Sequence, residues 1–149
     1  MRLECEFSEK DPQLSKLKET IGRELAEHYE MEWDLYQEGI RPRMAIFVSK
    51  YNHCLYDLLS RFRSGELDVE IPFIISNHED LRHIADQFEI PYHCITVDKD
   101  NKDVAESQQL ELLRSHEVDF VVLARYMQIV SPKLIDAYPN RIINIHHSF

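Results

Sequence analysis

The 149 residues leave room for one domain of ordinary size or slightly more, and a hydrophobic content of 44% is enough for a packed core. The formal net charge of −10 argues against a nucleic-acid partner, because phosphate binding needs a basic surface. No apolar run approaches the length of a membrane span and the N-terminus lacks a signal-peptide core, so we predict a cytoplasmic protein with no membrane partner.

The first 40 residues have a strand–helix–strand pattern. Residues 2–7 alternate between polar and apolar side chains, which predicts a half-buried strand. Asp11 and Pro12 are typical of a helix start, and apolar residues then recur at helical spacing. Residues 31–35 alternate again and predict a second strand, which ends in a turn at Gly39. Because this unit is too small to bury its own faces, we expect it to pair with something absent from this chain.

Beyond a short linker at residues 41–42, strands alternate with helices. The run at residues 44–48 is apolar throughout, as expected for a strand covered on both faces. Further strands are predicted at residues 69–76, 93–97, 120–124 and 142–143, the last of them buried. Helices are predicted from after Asn52 to Gly65, from an Asn77 cap to before Pro91, over residues 102–116, and from Ser131 to Pro139. Five strands alternating with four helices predict an α/β fold, a doubly wound and mostly parallel sheet with right-handed crossovers.

Ligands bind to such sheets outside the carboxyl ends of the strands, where three loops qualify. These loops are residues 49–52, 125–130 and 144–149. The first has no glycine, so its backbone amides cannot crowd around a phosphate as in a nucleotide-binding loop. We therefore expect no mononucleotide or dinucleotide cofactor. Lys50 in this loop is either a point charge for an anion or a solvated surface lysine.

The last of these loops brings a carboxamide and an imidazole together. Asn144 and His146 are separated by one residue at a strand end, so their side chains project to the same face. The amide of Asn144 can donate to an oxygen that becomes an oxyanion, and His146 can transfer a proton. The alternative is a strand end whose polar residues only meet solvent. His53 and His78, near the same edge, are weaker candidates for a site role.

Neither the cysteines nor the adjacent histidines predict a metal site. Cys5, Cys54 and Cys94 are scattered without paired spacing, which indicates reduced thiols. His146 and His147 are neighbours on a strand and therefore face opposite sides, so they cannot easily chelate one ion.

Four segments carry a family resemblance, namely VSKYNHCL at residues 48–55, IISN at 74–77, RYMQIVSP at 125–132 and RIINIHHSF at 141–149. In this order they resemble the folate-dependent formyltransferase family. The resemblance covers residues 43–149 almost continuously, and within the family it is strongest to members that use water as the acceptor and carry an ACT domain before the catalytic domain.

The resemblance implies an enzyme that hydrolyses 10-formyltetrahydrofolate to tetrahydrofolate and formate, in one-carbon and purine metabolism. The folate is the substrate and no further cofactor is implied. Asn144 matches the asparagine that polarises the formyl group, and His146 matches the catalytic histidine that acts as general acid or base. The residues matched to substrate binding are Met127, Gln128, Ile129 and Val130 in a loop that holds the pterin ring through main-chain groups, with Lys50 and Asn52 after the first strand.

The same resemblance implies how the domains are organised. Residues 1–40 are similar to the second half of an ACT regulatory domain, and residues 41–149 to the first half of the catalytic domain. The family's third catalytic residue, an aspartate, has no counterpart here, so we expect an internal fragment that is inactive or nearly so alone. An amino-acid effector at the ACT domain and a homo-oligomer are further implications.

One departure from the family favours water as the acceptor. Relatives that formylate a phosphorylated ribose amine carry a Gly-x-Gly-Ser-Asn loop after the first strand, whereas residues 50–54 here are KYNHC. Bulky side chains thus fill the space in which the acceptor phosphate would lie. Two alternatives remain open: a formyltransferase that acts on another amine, and a non-catalytic folate-binding or regulatory module.

Overall fold

The described part of the first unit of the chain contains one helix. The computed structural model describes residues 14–33, 39 and 41–145, and the chain divides into two compact units, Met1–Ile40 and Arg41–Phe149. In the first unit, helix α1 spans Leu14–Ile21 and continues into a π-helical turn, Gly22–Ala26. This confirms the predicted helix. Its predicted start and the strand predicted at residues 2–7 lie outside the described residues.

The strand predicted at residues 31–35 is wrong where the structure describes it. Residues 31–33 are in no strand, and residues 34–38 lie outside the described part. The physical reason is the way the helix ends. The backbone N–H of Met31 donates to the carbonyl of Ala26 at 2.9 Å, so this donor closes the helical turn and is not free for a strand partner. Gly39 has a φ of +85°, in agreement with the predicted turn.

The second unit is built on five parallel strands in the order β3-β2-β1-β4-β5. This arrangement confirms the predicted doubly wound sheet, with five strands that alternate with four helices. The strands are β1 (Met44–Val48), β2 (Ile74–Ser76), β3 (Tyr92–Cys94), β4 (Phe120–Ala124) and β5 (Ile142–Ile145). The helices are α2 (His53–Ser64), α3 (Arg82–Gln87), α4 (Lys102–Ser115) and α5 (Pro132–Ala137).

The core lies on both faces of the sheet, with β1 at its centre. Every residue of β1 is buried, as the continuous apolar run predicted. Its side chains alternate between two clusters: Ile46 packs with residues of α2 and α3, whereas Phe47 packs with residues of α4 and α5. Leu110 and Leu113 of α4 are buried. The helices therefore cover both faces and leave the carboxyl edge of the strands to the loops.

Several predicted boundaries differ from the structure. The strand predicted over residues 69–76 is regular only from Ile74, because Pro72 has no backbone N–H for a ladder. The strand predicted over residues 93–97 is β3, which begins one residue earlier and ends at Cys94. Asn77 does not cap α3, which begins five residues later at Arg82, because its side chain oxygen is taken by another loop.

The strand predicted as buried at residues 142–143 is an edge strand. β5 pairs only with β4 among the described strands, and its residues are half-buried or exposed. Ile143 is 53% exposed. An apolar run predicts a strand, but the number of neighbouring elements decides how much of that strand is covered.

Candidate functional site

The loops after β1 and β4 flank the point at which the sheet changes direction. From β1 the chain adds β2 and β3 on one side and then crosses to add β4 and β5 on the other. Loops that leave adjacent strands at such a point diverge and open a crevice that commonly holds a ligand. Val48 and Ala124, the last residues of β1 and β4, are paired. Residues 49–52 and 125–130 therefore meet at this crevice, as predicted.

One buried hydroxyl ties three loops together at the crevice. Ser49 is only 2% exposed, and its Oγ donates to Asn77 Oδ1 at 2.7 Å. The same oxygen accepts a hydrogen bond from the backbone N–H of Met127 at 2.9 Å. Ser49 thus connects the segments after β1, β2 and β4, and its own polar atoms are satisfied.

A second set of contacts fixes the segment after β2. The backbone N–H of His78 donates to Ser76 Oγ at 3.1 Å, and the His78 ring nitrogen Nε2 lies 3.1 Å from Asn77 Nδ2. Tyr92 Oη donates to the His78 carbonyl at 2.5 Å. Asn77 and Ser76 are buried. These bonds hold His78 at the carboxyl edge of the sheet, beside Ser49, which keeps it a candidate for the site.

The segment of residues 127–130 is anchored at both ends. Met127 is held by Ser49, as described above, and the backbone N–H of Ser131 donates to Glu106 Oε1 at 2.8 Å. Ser131 Oγ also donates to Glu106 Oε2, so this hydroxyl does not cap α5. Between the anchors, Met127 and Ile129 are exposed, at 52% and 83%, and Gln128 and Val130 are half-buried. The segment therefore presents apolar side chains and main-chain groups on a fixed backbone.

A rigid support lies behind this segment. Tyr126 is buried, its ring meets Phe47 edge-on with centroids 5.3 Å apart, and Gln109 Nε2 donates to Tyr126 Oη at 3.0 Å. Gln109 is itself only 2% exposed. Burial raises the pKa of Tyr126, and the hydrogen bond from Gln109 opposes that shift in part. The hydroxyl therefore stays protonated and in place at neutral pH.

Arg125 is the first residue of the same loop, directly before Tyr126. Its φ of +53° is left-handed, and its guanidinium carbon lies 4.4 Å from the centre of the Tyr51 ring. Its Nε is buried without a hydrogen-bond partner. Burial raises the pKa of the Cys54 thiol, the charge of Arg125 opposes that shift, and Asp57 adds to it. The positive charge of Arg125 therefore acts near the start of α2.

Asn144 lies on β5, next to the crevice. It pairs with Leu123, so its side chain projects to the face of the sheet on which Leu123 meets Phe47 and Tyr126. The backbone N–H of Arg125 donates to the carbonyl of Ile145 at 3.1 Å, which joins the end of β5 to the start of the 125–130 loop. Asn144 is exposed. His146 lies outside the described residues, so its pairing with Asn144 stays a prediction.

The two residues predicted to bind substrate after β1 are both exposed. Lys50 and Asn52 flank Tyr51, and Asn52 precedes α2 without a side-chain capping bond. The structure thus brings Lys50, Asn52, residues 127–130 and Asn144 to one edge of the sheet. That Lys50 and Asn144 act on one ligand stays a prediction.

The described part of the chain contains no candidate metal site. Within residues 14–33, 39 and 41–145, no three His, Cys, Asp or Glu side chains are grouped to hold a metal ion. Two open grooves of about 470 and 560 Å³ run along α4, with Glu111 and Ser115 lining both, and neither is lined by residues of the crevice. No described helix is long and apolar enough to cross a membrane.

Sequence reasoning missed the residues that position the site. Ser49, Asn77 and Glu106 are buried polar residues whose partners are far away in the chain. Ser49 and Asn77 carry a usable signal, because each follows an apolar strand directly and thus stands at the carboxyl edge. Glu106 carries none, since it lies on an acidic helix face where a carboxylate normally meets solvent.

A doubly wound parallel sheet with tied loops at its switch point defines an α/β protein whose ligand site lies at the carboxyl edge of the strands. A family model described as formyl transferase matches residues 42–149, which include every element of the second unit. The chain therefore belongs to the formyl transferase family.

The curated relatives point to one group within this family. The chain is 51% identical over 126 residues to the formyltetrahydrofolate deformylase of Synechocystis sp., a match that covers 85% of this chain and 44% of the relative. It is 48% identical over 125 residues to the formyltetrahydrofolate deformylase of Bacillus subtilis, covering 84% of this chain and 42% of the relative. The chain thus spans less than half the length of these relatives.

Solved structures agree with the fold. The crystal structure of formyltetrahydrofolate deformylase from Burkholderia mallei has a TM-score of 0.85 and 38% sequence identity, covering 94% of this chain and 50% of that one. The phosphoribosylglycinamide formyltransferase of Bacillus halodurans has a TM-score of 0.63 and 31% identity, covering 70% of this chain and 55% of that one. The likeness thus extends to relatives whose names state formyl transfer.

Proposed function

We propose that this chain is part of an enzyme that hydrolyses 10-formyltetrahydrofolate to tetrahydrofolate and formate. The observation that carries the proposal is the segment of residues 127–130, which is anchored by Ser49 and Glu106 and lies beside the strand that presents Asn144. A fixed loop with exposed apolar side chains suits a flat ring such as a pterin, and Met127, Gln128, Ile129 and Val130 are its proposed contacts. The names of the relatives support the same reaction.

The proposed chemistry uses one hydrogen-bond donor and one proton carrier. Water attacks the formyl carbon, and the side-chain amide of Asn144 donates to the formyl oxygen as negative charge builds there. The bond between the carbon and the folate nitrogen then breaks. His146 takes a proton from the attacking water and delivers one to the leaving nitrogen, after which formate and tetrahydrofolate dissociate. Lys50 and Asn52 bind polar groups of the substrate at the mouth of the crevice.

The test is formate release by the natural full-length protein that contains this chain. Incubation with 10-formyltetrahydrofolate in buffer free of amines is expected to yield formate and tetrahydrofolate in equal amounts. A protein that binds the folate, as seen by calorimetry, but releases no formate would contradict the proposal. Such a result would instead support a non-catalytic folate-binding module.

Transfer of the formyl group to an amine is the second candidate. It is favoured by the fold likeness to phosphoribosylglycinamide formyltransferase. It is opposed by the loop after β1, in which residues 49–52 contain no glycine that would let a phosphate approach the backbone. Formate release that requires no amine separates the two candidates.

Domain organisation, effector binding and assembly are properties of the whole protein. We infer that residues 1–40 belong to an ACT-like regulatory domain that binds an amino-acid effector, and that residues 41–149 belong to the catalytic domain. A homo-oligomer, a cytoplasmic location and a place in purine metabolism stay predictions. Calorimetric titration of single amino acids into the full-length protein tests the effector, and light scattering tests the oligomer.

A further inference from the structure

A stacked pair of side chains, Tyr51 and Arg125, spans the crevice between β1 and β4. The guanidinium carbon of Arg125 lies 4.4 Å from the centre of the Tyr51 ring, within the range of a cation–π contact. Tyr51 belongs to the loop after β1, and Arg125 is the first residue after β4. These two strands are paired along their whole length. The stack therefore joins the two loops across the space that a ligand of the switch point would enter.

The backbone of Arg125 is in a conformation that its side chain does not favour. Its φ is +53°, in a region that residues other than glycine adopt rarely. Among the described non-glycine residues with positive φ, only Arg125 directly follows a strand. The others follow helices, where a left-handed residue is a common stop, and they are Glu30, Glu89, Glu117 and Asn140.

One hydrogen-bond donor of Arg125, the Nε–H, is also unpaired. Its Nε is buried without a hydrogen-bond partner, an arrangement that opposes folding. It forms no ion pair with a carboxylate in the described part of the chain. The arginines that do so there are Arg23, Arg41, Arg43, Arg61 and Arg82. Neither the backbone nor the donors of Arg125 thus indicate a residue that serves stability, and an unfavourable conformation at a ligand crevice points to function.

We propose that the Tyr51–Arg125 stack selects the acceptor of the formyl group. Tyr51 lies two residues before the start of α2, and in this proposal the stack there obstructs an organic amine more than it obstructs water. Exposure of 54% for Tyr51 places the ring at the mouth of the crevice, where it screens the opening. This inference rests on the proposed hydrolysis and extends it, because it names the residues that make water the acceptor.

Both reactions balance in the same way at the folate. In hydrolysis, the water oxygen forms a bond to the formyl carbon, the carbon–nitrogen bond breaks, and the folate nitrogen gains a proton equivalent to the one that water loses. With an amine, the new bond is carbon–nitrogen, the amine loses the proton, and the folate nitrogen again gains one. The acceptor alone differs, so the partition between the two products reports on access to the formyl group.

The experiment measures that partition in the natural full-length protein. 10-Formyltetrahydrofolate is supplied with glycinamide, and formate and N-formylglycinamide are quantified by mass spectrometry, with the rate in the absence of protein subtracted. Wild-type protein is expected to yield formate with only a small, measurable fraction of N-formylglycinamide. Tyr51→Ala, Arg125→Gly and the double variant are expected to raise the ratio of N-formylglycinamide to formate by at least about tenfold, since removal of a few side-chain atoms changes discrimination by this order.

The variants are chosen to keep the fold. Glycine adopts the left-handed φ of Arg125 without strain, and Tyr51 is an exposed loop residue. Tyr51→Phe retains an aromatic face for the guanidinium and is expected to behave as wild type. The matched control is Arg63→Ala at the other end of α2, where Arg63 stacks on Phe88 at 5.4 Å. This control is expected to leave the product ratio unchanged.

Two failures are distinguishable. If the wild-type protein releases no formate from 10-formyltetrahydrofolate, the proposed hydrolysis itself is wrong. If it releases formate but Tyr51→Ala, Arg125→Gly and the double variant all keep the wild-type product ratio, the hydrolysis stands and the stack does not select the acceptor. Each single variant is measured separately from the double variant, so the ratio is read even where one substitution lowers stability.

Discussion

The backbone N–H of Met127 donates to the hydroxyl of Ser49 at 2.9 Å, across the crevice between the carboxyl ends of β1 and β4. The two residues are 78 positions apart in the chain. Because that hydroxyl also donates to Asn77 at 2.7 Å, a single buried side chain decides where the loop proposed to hold the folate begins.

Replacement of Ser49 by alanine tests this relationship. Ser49→Ala leaves the Met127 N–H and Asn77 Oδ1 without their partner, and an unsatisfied buried polar group costs about 1–3 kcal/mol. We therefore expect a lower free energy of unfolding and a higher KM for the folate, measured by urea denaturation and steady-state kinetics. The matched control is Ser64→Ala, which removes an exposed hydroxyl on α2 that donates to the Arg61 carbonyl. An unchanged KM in Ser49→Ala would show that the loop is positioned by other contacts.

Replacement of Asn144 tests the proposed oxyanion donor. Loss of one such donor typically lowers kcat by about 10²–10³, and Asn144→Ala is expected to show that loss with little change in folate affinity. Steady-state kinetics of formate release and calorimetric binding of the folate separate the two quantities. A loss of folate affinity with kcat unchanged would instead assign Asn144 to ground-state binding.

Replacement of His146 tests the proposed proton carrier. A general acid or base acts best when its pKa lies near the working pH, so His146→Ala is expected to lower kcat and to flatten the pH–rate profile. His147→Ala is the neighbouring control and is expected to keep the profile. A rate and profile that survive His146→Ala would direct attention to His147, His78 or His53 as the base.

The buried pair of Gln109 and Tyr126 allows a double-mutant test of the support beneath the loop. Tyr126→Phe leaves Gln109 Nε2 unpaired, and Gln109→Leu leaves Tyr126 Oη unpaired, so each is expected to lower the free energy of unfolding by about 1–3 kcal/mol. The double variant removes both polar groups. It is expected to be less destabilised than the sum of the single variants, by about 0.5–3 kcal/mol. Strict additivity in denaturant unfolding would show that the hydrogen bond contributes nothing.

The lowered pKa of His93 leads to a prediction about how the free energy of unfolding depends on pH. Burial lowers the pKa of His93 from its ordinary 6.5, and nearby His116 and Arg82 lower it further. Below about pH 6.5 the unfolded chain therefore binds a proton that the folded chain resists, so the free energy of unfolding falls as the pH falls through the folded pKa. His93→Gln is expected to make that fall shallower in denaturant unfolding between about pH 7 and 5.

A matched histidine on the preceding helix controls for the loss of a ring. His83→Gln replaces an exposed side chain on α3 and is expected to leave the acid dependence as in wild type. The His93 side chain also meets Phe73 edge-on at 5.5 Å, so His93→Gln carries a loss of packing at every pH. The slope with pH, and not the absolute stability, is therefore the quantity to compare. An identical slope in both variants would contradict the assignment to His93.

Local patterns were sufficient to predict the two central strands and the buried face of α4. The strands at residues 44–48 and 120–124 are apolar runs, and α4 repeats its apolar residues at helical spacing, so burial follows from the local pattern. Predictions failed where a partner decides the outcome. Ile143 is exposed because β5 lies at the edge of the described sheet, and residues 31–33 form no strand because the helix end uses the N–H of Met31.

The sequence by itself determined the alternation of strands and helices, the absence of glycine after β1, and the motifs whose family resemblance makes Asn144 and residues 127–130 candidates for folate chemistry. Only the tertiary structure decided the order of the strands, the contact of Ser49 with Asn77 and Met127, and the stack of Arg125 on Tyr51. The physical reason is sequence separation. Periodicity encodes which face of an element is apolar, whereas these contacts join residues 28 to 78 positions apart and exist only after the strands have paired.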